Sequence, residues 1–342
     1  MRITPRQSLS SALASFRRCG HCQPRIGLRT HMNHGGGDHV PRPPLVSGPR
    51  EAAVTMGLAA TQHTSNILRL LESSHGSSFY NTVDTLSTAW HPKSLIWQYD
   101  EENDIGWKAS SPFELFKNES PRKITPSATP RLYSLHFSDD RMALLKVVGT
   151  DYQHRYLQLL RLDPDGMGGG MLPHDGWSIL REVRIATNEV ENSKHSVGTA
   201  LASVNQAVEL YLEIEHGGGD QDKCRAQQLF NPDSSLLSVG IDPIEAQPAT
   251  DWSAPVGNLL EIPLETYLDG VKLQPPHENG SRIHDTICSI DCSGNAAAAI
   301  VRVGNGAQTR IFEDNLLLGR KCESDEWKIL SKTFSPQAWK KI

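Results

Sequence analysis

The sequence predicts an α+β fold built twice: two tandem domains, each with helices packed on one face of a curved, mainly antiparallel sheet. Three observations lead there. First, His284–Pro336 holds four β-strand patterns parted by Ser293-Gly294-Asn295, Gly304-Asn305-Gly306 and the 319–325 break, and turns at such short spacing favour an antiparallel meander. Second, a meander that buries one face needs a cover, and apolar helical stripes lie upstream of it. Third, the order helix, helix, strand, short helix, four strands occurs before residue 186 and again after residue 197, the segregated pattern of an α+β domain.

Residues 1–50 hold eight Arg, no Lys and one acid, Asp38. A basic, Ser-rich, acid-poor start has the composition of an organelle transit peptide, and Ser8–Arg18 fits a short basic amphipathic helix. The expectation is a disordered basic segment that directs the chain to a mitochondrion or plastid, with a cytoplasmic protein carrying a basic tail as the alternative. Cys19-Gly-His-Cys22 with His31, His34 and His39 are metal-ligand residue types. No second cysteine pair follows at zinc-ribbon spacing, so no metal site is assigned.

Positions 51–342 carry 26 of the 34 basic residues and 38 of the 39 acidic ones. Such an acidic body argues against a nucleic-acid partner, because phosphate contacts need clustered Lys or Arg. The longest clean apolar run, Ala296–Val301, falls far short of the roughly 20 residues that span a bilayer, so no membrane partner is expected. The six cysteines read as reduced thiols; Cys288 and Cys292, four apart on one strand at about 3.3 Å per residue, cannot bridge directly.

The first copy is assigned to 51–186. Residues 58–73 are helical, with Ile67, Leu68, Leu70 and Leu71 as the apolar group. In Ser77–Trp90 the apolar residues Phe79, Val83, Leu86 and Trp90 recur at helical spacing, and His91-Pro92 stops the helix. Leu95–Tyr99 is a strand, Pro112–Lys117 a short helix opened by proline, and 132–138, 142–149, 152–162 and 176–185 are strands. The excursion DPDGMGGGMLPHDG parts the last two; no Lys-Ser/Thr follows its glycines, so it is no phosphate loop.

A polar linker, 187–197, leads to the second copy, 198–342. Thr199–Glu215 is a helix with Val204, Val208 and Leu212 on one stripe, Asp220–Phe230 a second helix, Leu236–Gly240 a strand and Pro263–Lys272 the short third helix, ahead of the meander. The copies align: Trp90-His91-Pro92 with Phe230-Asn231-Pro232, Ser94-Leu95-Ile96 with Ser235-Leu236-Leu237, Trp177-Ser-Ile-Leu-Arg with Trp327-Lys-Ile-Leu-Ser, and Leu157–Leu162 with Leu316–Lys321. A period near 150 residues means duplicated domains rather than a solenoid.

This order, together with AQQLFNPDSSLLSV, LEIPLETYLDGVK, FEDNLLLGRK and DEWKILSKTF of the second copy, resembles the nuclear transport factor 2-like superfamily. Within it the second copy looks most like the lumazine-binding branch, near the SnoaL-like polyketide cyclases. The resemblance implies a cone-shaped α+β domain whose mouth is an apolar pocket. It also implies an aspartate before alternating leucines on the penultimate strand (Asp314, before Leu316 and Leu318), and Trp327, Lys328, Ile329, Lys332 and Phe334 on the last strand. The first copy departs from this pattern, with Arg155 where Asp314 stands and Glu182 where Lys332 stands.

Candidate catalytic residues are two aspartates. Asp242, in Val239-Gly-Ile-Asp-Pro243, resembles the Asp-Pro after the corresponding strand of the ketosteroid isomerase branch, where the aspartate is the general base. Asp314 shares a strand face with Phe312, Leu316 and Leu318, so it must pair or line a cavity. Lys332 is its expected partner. Tyr152, His154 and Tyr156 alternate on one strand face, and Trp97 and Tyr99 do so on another. If these faces are concave they line a ligand pocket; if convex they form a solvated stripe or a pairing surface.

The expected function is therefore a tandem binding module. It holds a small apolar or aromatic ligand in one or both cones, without cofactor or metal, and its two domains pair through their sheets. Trp97, Tyr99, Tyr152, His154, Tyr156, Phe312 and Lys332 are the candidate ligand contacts, and self-association of whole chains is a further option. The alternatives are a cofactor-independent isomerase, cyclase or dehydratase using Asp242 or Asp314 as base, and a scaffold with filled cones.

Overall fold

A computed structural model describes residues 61–71, 89–100, 106–118, 131–138, 141–148, 154–162, 173–185, 197–239, 257–273, 285–305, 310–321 and 326–337, all within one compact unit, Arg50–Ile342. The basic segment 1–50, most of the helix expected at Ser77–Trp90, and most of the glycine-rich excursion and of the linker lie outside the described residues.

Two six-stranded sheets share one plan. The first contains β1 (Trp90–Asp100), β2 (Gly106–Ser110), β3 (Arg131–Phe137), β4 (Met142–Val148), β5 (His154–Arg161) and β6 (Trp177–Ile185), in the order β2-β1-β6-β5-β4-β3. The second contains β7 (Ser235–Val239), β8 (Leu259–Pro263), β9 (Thr286–Ser293), β10 (Ala296–Asn305), β11 (Arg310–Gly319) and β12 (Lys328–Gln337), in the order β8-β7-β12-β11-β10-β9. In each, the first strand runs parallel to the last and every other pairing is antiparallel. Even the irregularity recurs: the β5–β6 register slips between Gln158 and Leu159, and the β11–β12 register between Leu317 and Leu318. Bulges at matching places bend both strands alike. At the β9–β10 hairpin Gly294 has φ +59°, a conformation that favours glycine.

Two strands escape the sequence pattern. β2 and β8 are five-residue edge strands, GWKAS and LLEIP, too short to show a clear alternation, and each adds a strand beyond the five expected per copy. The repeat alignment also shifts by one. Trp90 pairs with Ile179 as Phe230 does with Ile329, and Ile96 pairs with Glu182 as Leu236 does with Lys332. Ile96, rather than Leu95, therefore occupies the place of Leu236, and no gap separates the Pro from its strand.

Helices cover one face of each sheet. Helix α1 (residues 61–71) buries Ile67, Leu70 and Leu71, and α2 (Pro112–Asn118) adds Phe113 and Leu115. They meet Trp90, Ile96, Leu145, Leu157, Trp177 and Ile179 of the first sheet. On the second sheet, α3 (Val197–Glu215) contributes Val204, Val208, Tyr211 and Leu212, α4 (Gly219–Leu229) Ala226 and Leu229, and α5 (Leu264–Leu273) Leu264, Tyr267, Leu268 and Val271. Those residues recur at three and four, so each helix presents one apolar stripe to the strands.

The remaining faces pack against each other. Trp97, Trp107, Leu144, Tyr156 and Val183 of the first sheet meet Ala298, Ile300, Leu317 and Leu330 of the second. Met142, Leu160 and Leu180 meet Leu237 and Val239. The chain is thus layered helix, sheet, sheet, helix, with the two halves paired through their sheets as the sequence suggested.

Candidate functional site

The helix-covered side of the second sheet encloses a charged cluster in an aromatic setting. β11 points Phe312, Asp314, Leu316 and Leu318 to that side by simple alternation. Asp314 pairs directly with Phe334 and Leu316 with Lys332, so Lys332 is the diagonal neighbour of Asp314 across the ladder. Its ammonium lies 3.2 Å from Asp314 Oδ2 and donates to Glu215 Oε1 at 2.7 Å. Tyr211 donates its hydroxyl proton to Asp314 Oδ2 at 2.6 Å, and Tyr267 donates to Glu215 Oε1 at 2.8 Å. Three rings surround the ammonium, with centroids 5.0 Å (Tyr211), 5.5 Å (Tyr267) and 5.6 Å (Phe334) away, within cation–π range.

Asp314 is 1% exposed, and its Oδ1 has no hydrogen-bond partner among the described residues. Burial pushes its carboxyl up to about 6, against the pull of Lys332 and with a further push from Glu215. Glu215 is also buried, which opposes ionisation, but Lys332 and the two tyrosines hold it below the usual carboxylate range. Lys332 is raised: burial works against its charge, and the two carboxylates outweigh burial. Burial, then the neighbouring carboxylates, push both tyrosines well above 10. The ammonium sits closer to Glu215, so the Asp314 charge is the less compensated one.

Only part of this cluster was legible in advance. Asp314, Lys332 and Phe312 are brought together on the cone side; Phe312 and Phe334 are partly exposed at its outer end, with ring centroids 6.5 Å apart. Sequence reasoning missed Tyr211, Glu215 and Tyr267. A signal for Glu215 was present: it continues the stripe Val204, Val208, Tyr211 by one further turn, an acid on an apolar face.

The aromatic residues proposed from the first copy lie elsewhere. Trp97 and Tyr156 are buried between the two sheets, with Tyr99 packed beside them. The Tyr156 hydroxyl donates to Ser293 Oγ at 3.2 Å, and His154 Nδ1 lies 3.3 Å from the same oxygen. Their face is the one turned to the other sheet, and it serves as the pairing surface rather than a pocket lining. Asp242 and Tyr152 lie outside the described residues. On the helix side of the first sheet, Arg155 Nη1 stands 3.6 Å from Glu182 Oε1, and Arg184 Nε donates to the same oxygen at 2.7 Å. Among the described residues no group of three or more His, Cys, Asp or Glu is placed to hold a metal, and no helix is long and apolar enough to cross a membrane.

Residues 199–335 match the family described as "Putative lumazine-binding". That match and the sheet-and-helix plan of the second half fit the nuclear transport factor 2-like resemblance. The first half repeats its sheet order and helix placement, so the fold is a tandem of two like units. No curated protein matches the sequence. Among solved structures, the chain is similar to an NTF2-like protein of unknown function from Silicibacter pomeroyi DSS-3 (18% identity, 41% of this chain and 98% of that one, TM-score 0.32). It is also similar to NTF2-like proteins of unknown function from Shewanella baltica OS155 (18%, 40% and 96%, 0.30) and Methylobacillus flagellatus KT (20%, 41% and 94%, 0.31).

Proposed function

We propose that the second nuclear transport factor 2-like domain binds a small, mainly apolar or aromatic ligand in its cone, and that the first domain serves to cover its sheet. The observation that carries this reading is Asp314 Oδ1, a carboxylate oxygen taken out of water and left without a donor among the described residues. Leaving such a group unsatisfied costs about 1–3 kcal/mol or more, and a ligand that brings an N–H or O–H recovers it. Phe312 and Phe334 supply the apolar walls on which an aromatic body would rest.

The matched family's description mentions lumazine, a planar bicycle with ring N–H donors, so lumazine and 2-naphthol are suitable probes. Titration of the full-length protein, followed by ligand fluorescence, is expected to show saturable binding that Phe334→Ala weakens at least fivefold. Binding indifferent to Phe334→Ala would sink the reading, as would absence of saturation at millimolar concentration with these two probes and with benzylamine, benzyl alcohol and benzoate.

One observation favours a second reading. A carboxyl raised to about 6 is ionised at neutral pH yet basic enough to remove a proton from an activated carbon. Asp314 would then be the general base of a cofactor-independent isomerase, cyclase or dehydratase. Turnover of steroid-like or polyketide-like ketones that is lost in Asp314→Asn, with binding retained, supports it; turnover unchanged in that variant excludes it.

A further inference from the structure

We infer that the ligand of the second cone is a small organic amine, protonated at neutral pH, whose N–H donates to Asp314 Oδ1 while its apolar body lies against Phe312 and Phe334. This rests on the ligand-binding reading above and goes beyond it by naming the charge and the donor group.

Strand β11 presents Asp314, β12 presents Lys332, α3 presents Tyr211 and Glu215, and α5 presents Tyr267. His216, next to Glu215 in the chain, pairs with Asp285 at 2.8 Å. Among the described residues facing the interior, two carboxylates therefore share one ammonium. Lys332 sits closer to Glu215, at 2.7 Å, than to Asp314, at 3.2 Å. The tyrosines are ordinary hydroxyl donors here and bring no charge.

A buried carboxylate without full compensation is costly, and a second cation removes that cost where a neutral donor removes only part of it. Hydrogen bonds to Oδ2 come from Tyr211, and Lys332 approaches that same oxygen. Among the described residues the vacant acceptor is thus a single oxygen, which suits one N–H rather than a bidentate group such as guanidinium.

The surroundings select the same class. Phe312 lies two residues from Asp314 on the same strand face, about 7 Å away along the strand. Phe334 is the direct cross-strand partner of Asp314, and both rings are partly exposed. An aromatic wall beside a carboxylate favours a cation with an apolar body twice over, through the ring faces and through the charge. An anionic ligand would meet the uncompensated acid and be rejected.

The test uses the full-length protein with benzylamine, benzyl alcohol and benzoate as shape-matched cationic, neutral and anionic probes, titrated calorimetrically at pH 5.0 and 7.5. At pH 7.5 benzylamine is expected to bind about tenfold or more tightly than benzyl alcohol, and benzoate not at all. The amine preference is expected to shrink severalfold at pH 5.0, where Asp314 takes up a proton. Asp314→Asn is expected to abolish the preference while still binding the alcohol. Wild-type protein that binds amine and alcohol equally at pH 7.5 overturns the inference and leaves ligand binding standing. Failure of all three probes, with lumazine and 2-naphthol also silent, overturns both. An amine preference that persists unchanged at pH 5.0 overturns the role of Asp314 without recourse to the variant.

Discussion

Lys332 Nζ lies 3.2 Å from Asp314 Oδ2 in the second domain, and at the equivalent ladder positions of the first domain the pair recurs with its charges exchanged, Glu182 Oε1 standing 3.6 Å from Arg155 Nη1. The register makes the equivalence concrete: Leu157 faces Glu182 as Leu316 faces Lys332, and Arg155 faces Arg184 as Asp314 faces Phe334. Each sheet thus keeps a diagonal ion pair under its helices. The partners around the pair differ: a second guanidinium, Arg184, on Glu182, but a second carboxylate, Glu215, on Lys332. The two cones have diverged in sign while keeping their geometry.

The first prediction concerns Lys332. Its replacement by Met keeps the stem and removes the ammonium, leaving Glu215 and Asp314 buried without it. Breaking one side of a buried ion cluster costs about 3–5 kcal/mol. Urea unfolding at pH 7.5 is expected to show a loss of that size, and a smaller one at pH 5.0, where Asp314 becomes neutral. A loss under about 1 kcal/mol at pH 7.5 would mean that the ammonium does not hold the cluster together.

The second follows from the titration of Asp314. Its carboxyl, ordinarily near 3.8, is raised to about 6 in the folded chain. Between these values the folded state holds a proton that the unfolded state has released, so stability falls as pH rises through the interval. The fall is on the order of 3 kcal/mol. Asn cannot ionise, so the stability of Asp314→Asn relative to wild type is expected to climb between pH 4.5 and 6.5 and then level off. Glu215 has the opposite sign: it is held low, and its contribution is lost only as pH falls below its ordinary 4.5, outside the measured window. A flat difference between wild type and variant across pH 4.5–7 would contradict the assignment.

The fold was legible where pattern and period agree. The turn at Gly294 and stripes such as Val204, Val208 and Leu212 report directly on strand and helix. β2 and β8 were not legible, because a five-residue edge strand need show no alternation. The site was half legible. Asp314 among leucines is an anomaly that any reader of strand period can see, and Lys332 follows from the cross-strand diagonal. Tyr211 and Tyr267 come from helices whose rotation about their axes only packing decides, and Glu215 showed only as an acid continuing an apolar stripe. The aromatic strand faces of the first domain show the remaining limit: alternation tells which residues share a face, not whether that face turns inward to helices or outward to another sheet. Trp97 and Tyr156 turned out to face the other sheet.

The third prediction addresses that sheet-to-sheet layer. Gln158 is fully buried; it donates to the Asn315 carbonyl at 2.8 Å and accepts from Ser331 Oγ at 2.6 Å. It stands beside the register slip, as Leu317 does in the other sheet. Gln158→Leu would match that leucine in kind but strand a carbonyl and a hydroxyl between the sheets. The expected cost is about 3 kcal/mol, read by thermal unfolding, with the two domains still melting in one transition. Simultaneous Ser331→Ala is expected to recover part of it, since one stranded group is then removed.

The last prediction concerns a close approach of the two sheets at Gly319 and Trp107. A Cβ on Gly319 would lie 2.4 Å from the Trp107 indole, so Trp107 packs onto glycine backbone where no side chain fits. Its Nε1 donates to the Arg320 carbonyl at 3.0 Å, fixing the ring against the second domain. Gly319→Ala must therefore displace an indole that belongs to the other half of the chain, at an overpacking cost of about 1–3 kcal/mol. Loss of the hydrogen bond and entry of water are expected to shift the tryptophan emission to the red. In a Trp107→Phe background the ring is smaller and the hydrogen bond already gone, so adding Gly319→Ala should cost markedly less than in wild type, a coupling that two independent sites would not show. Additive effects would place the strain within the second sheet and not between the domains.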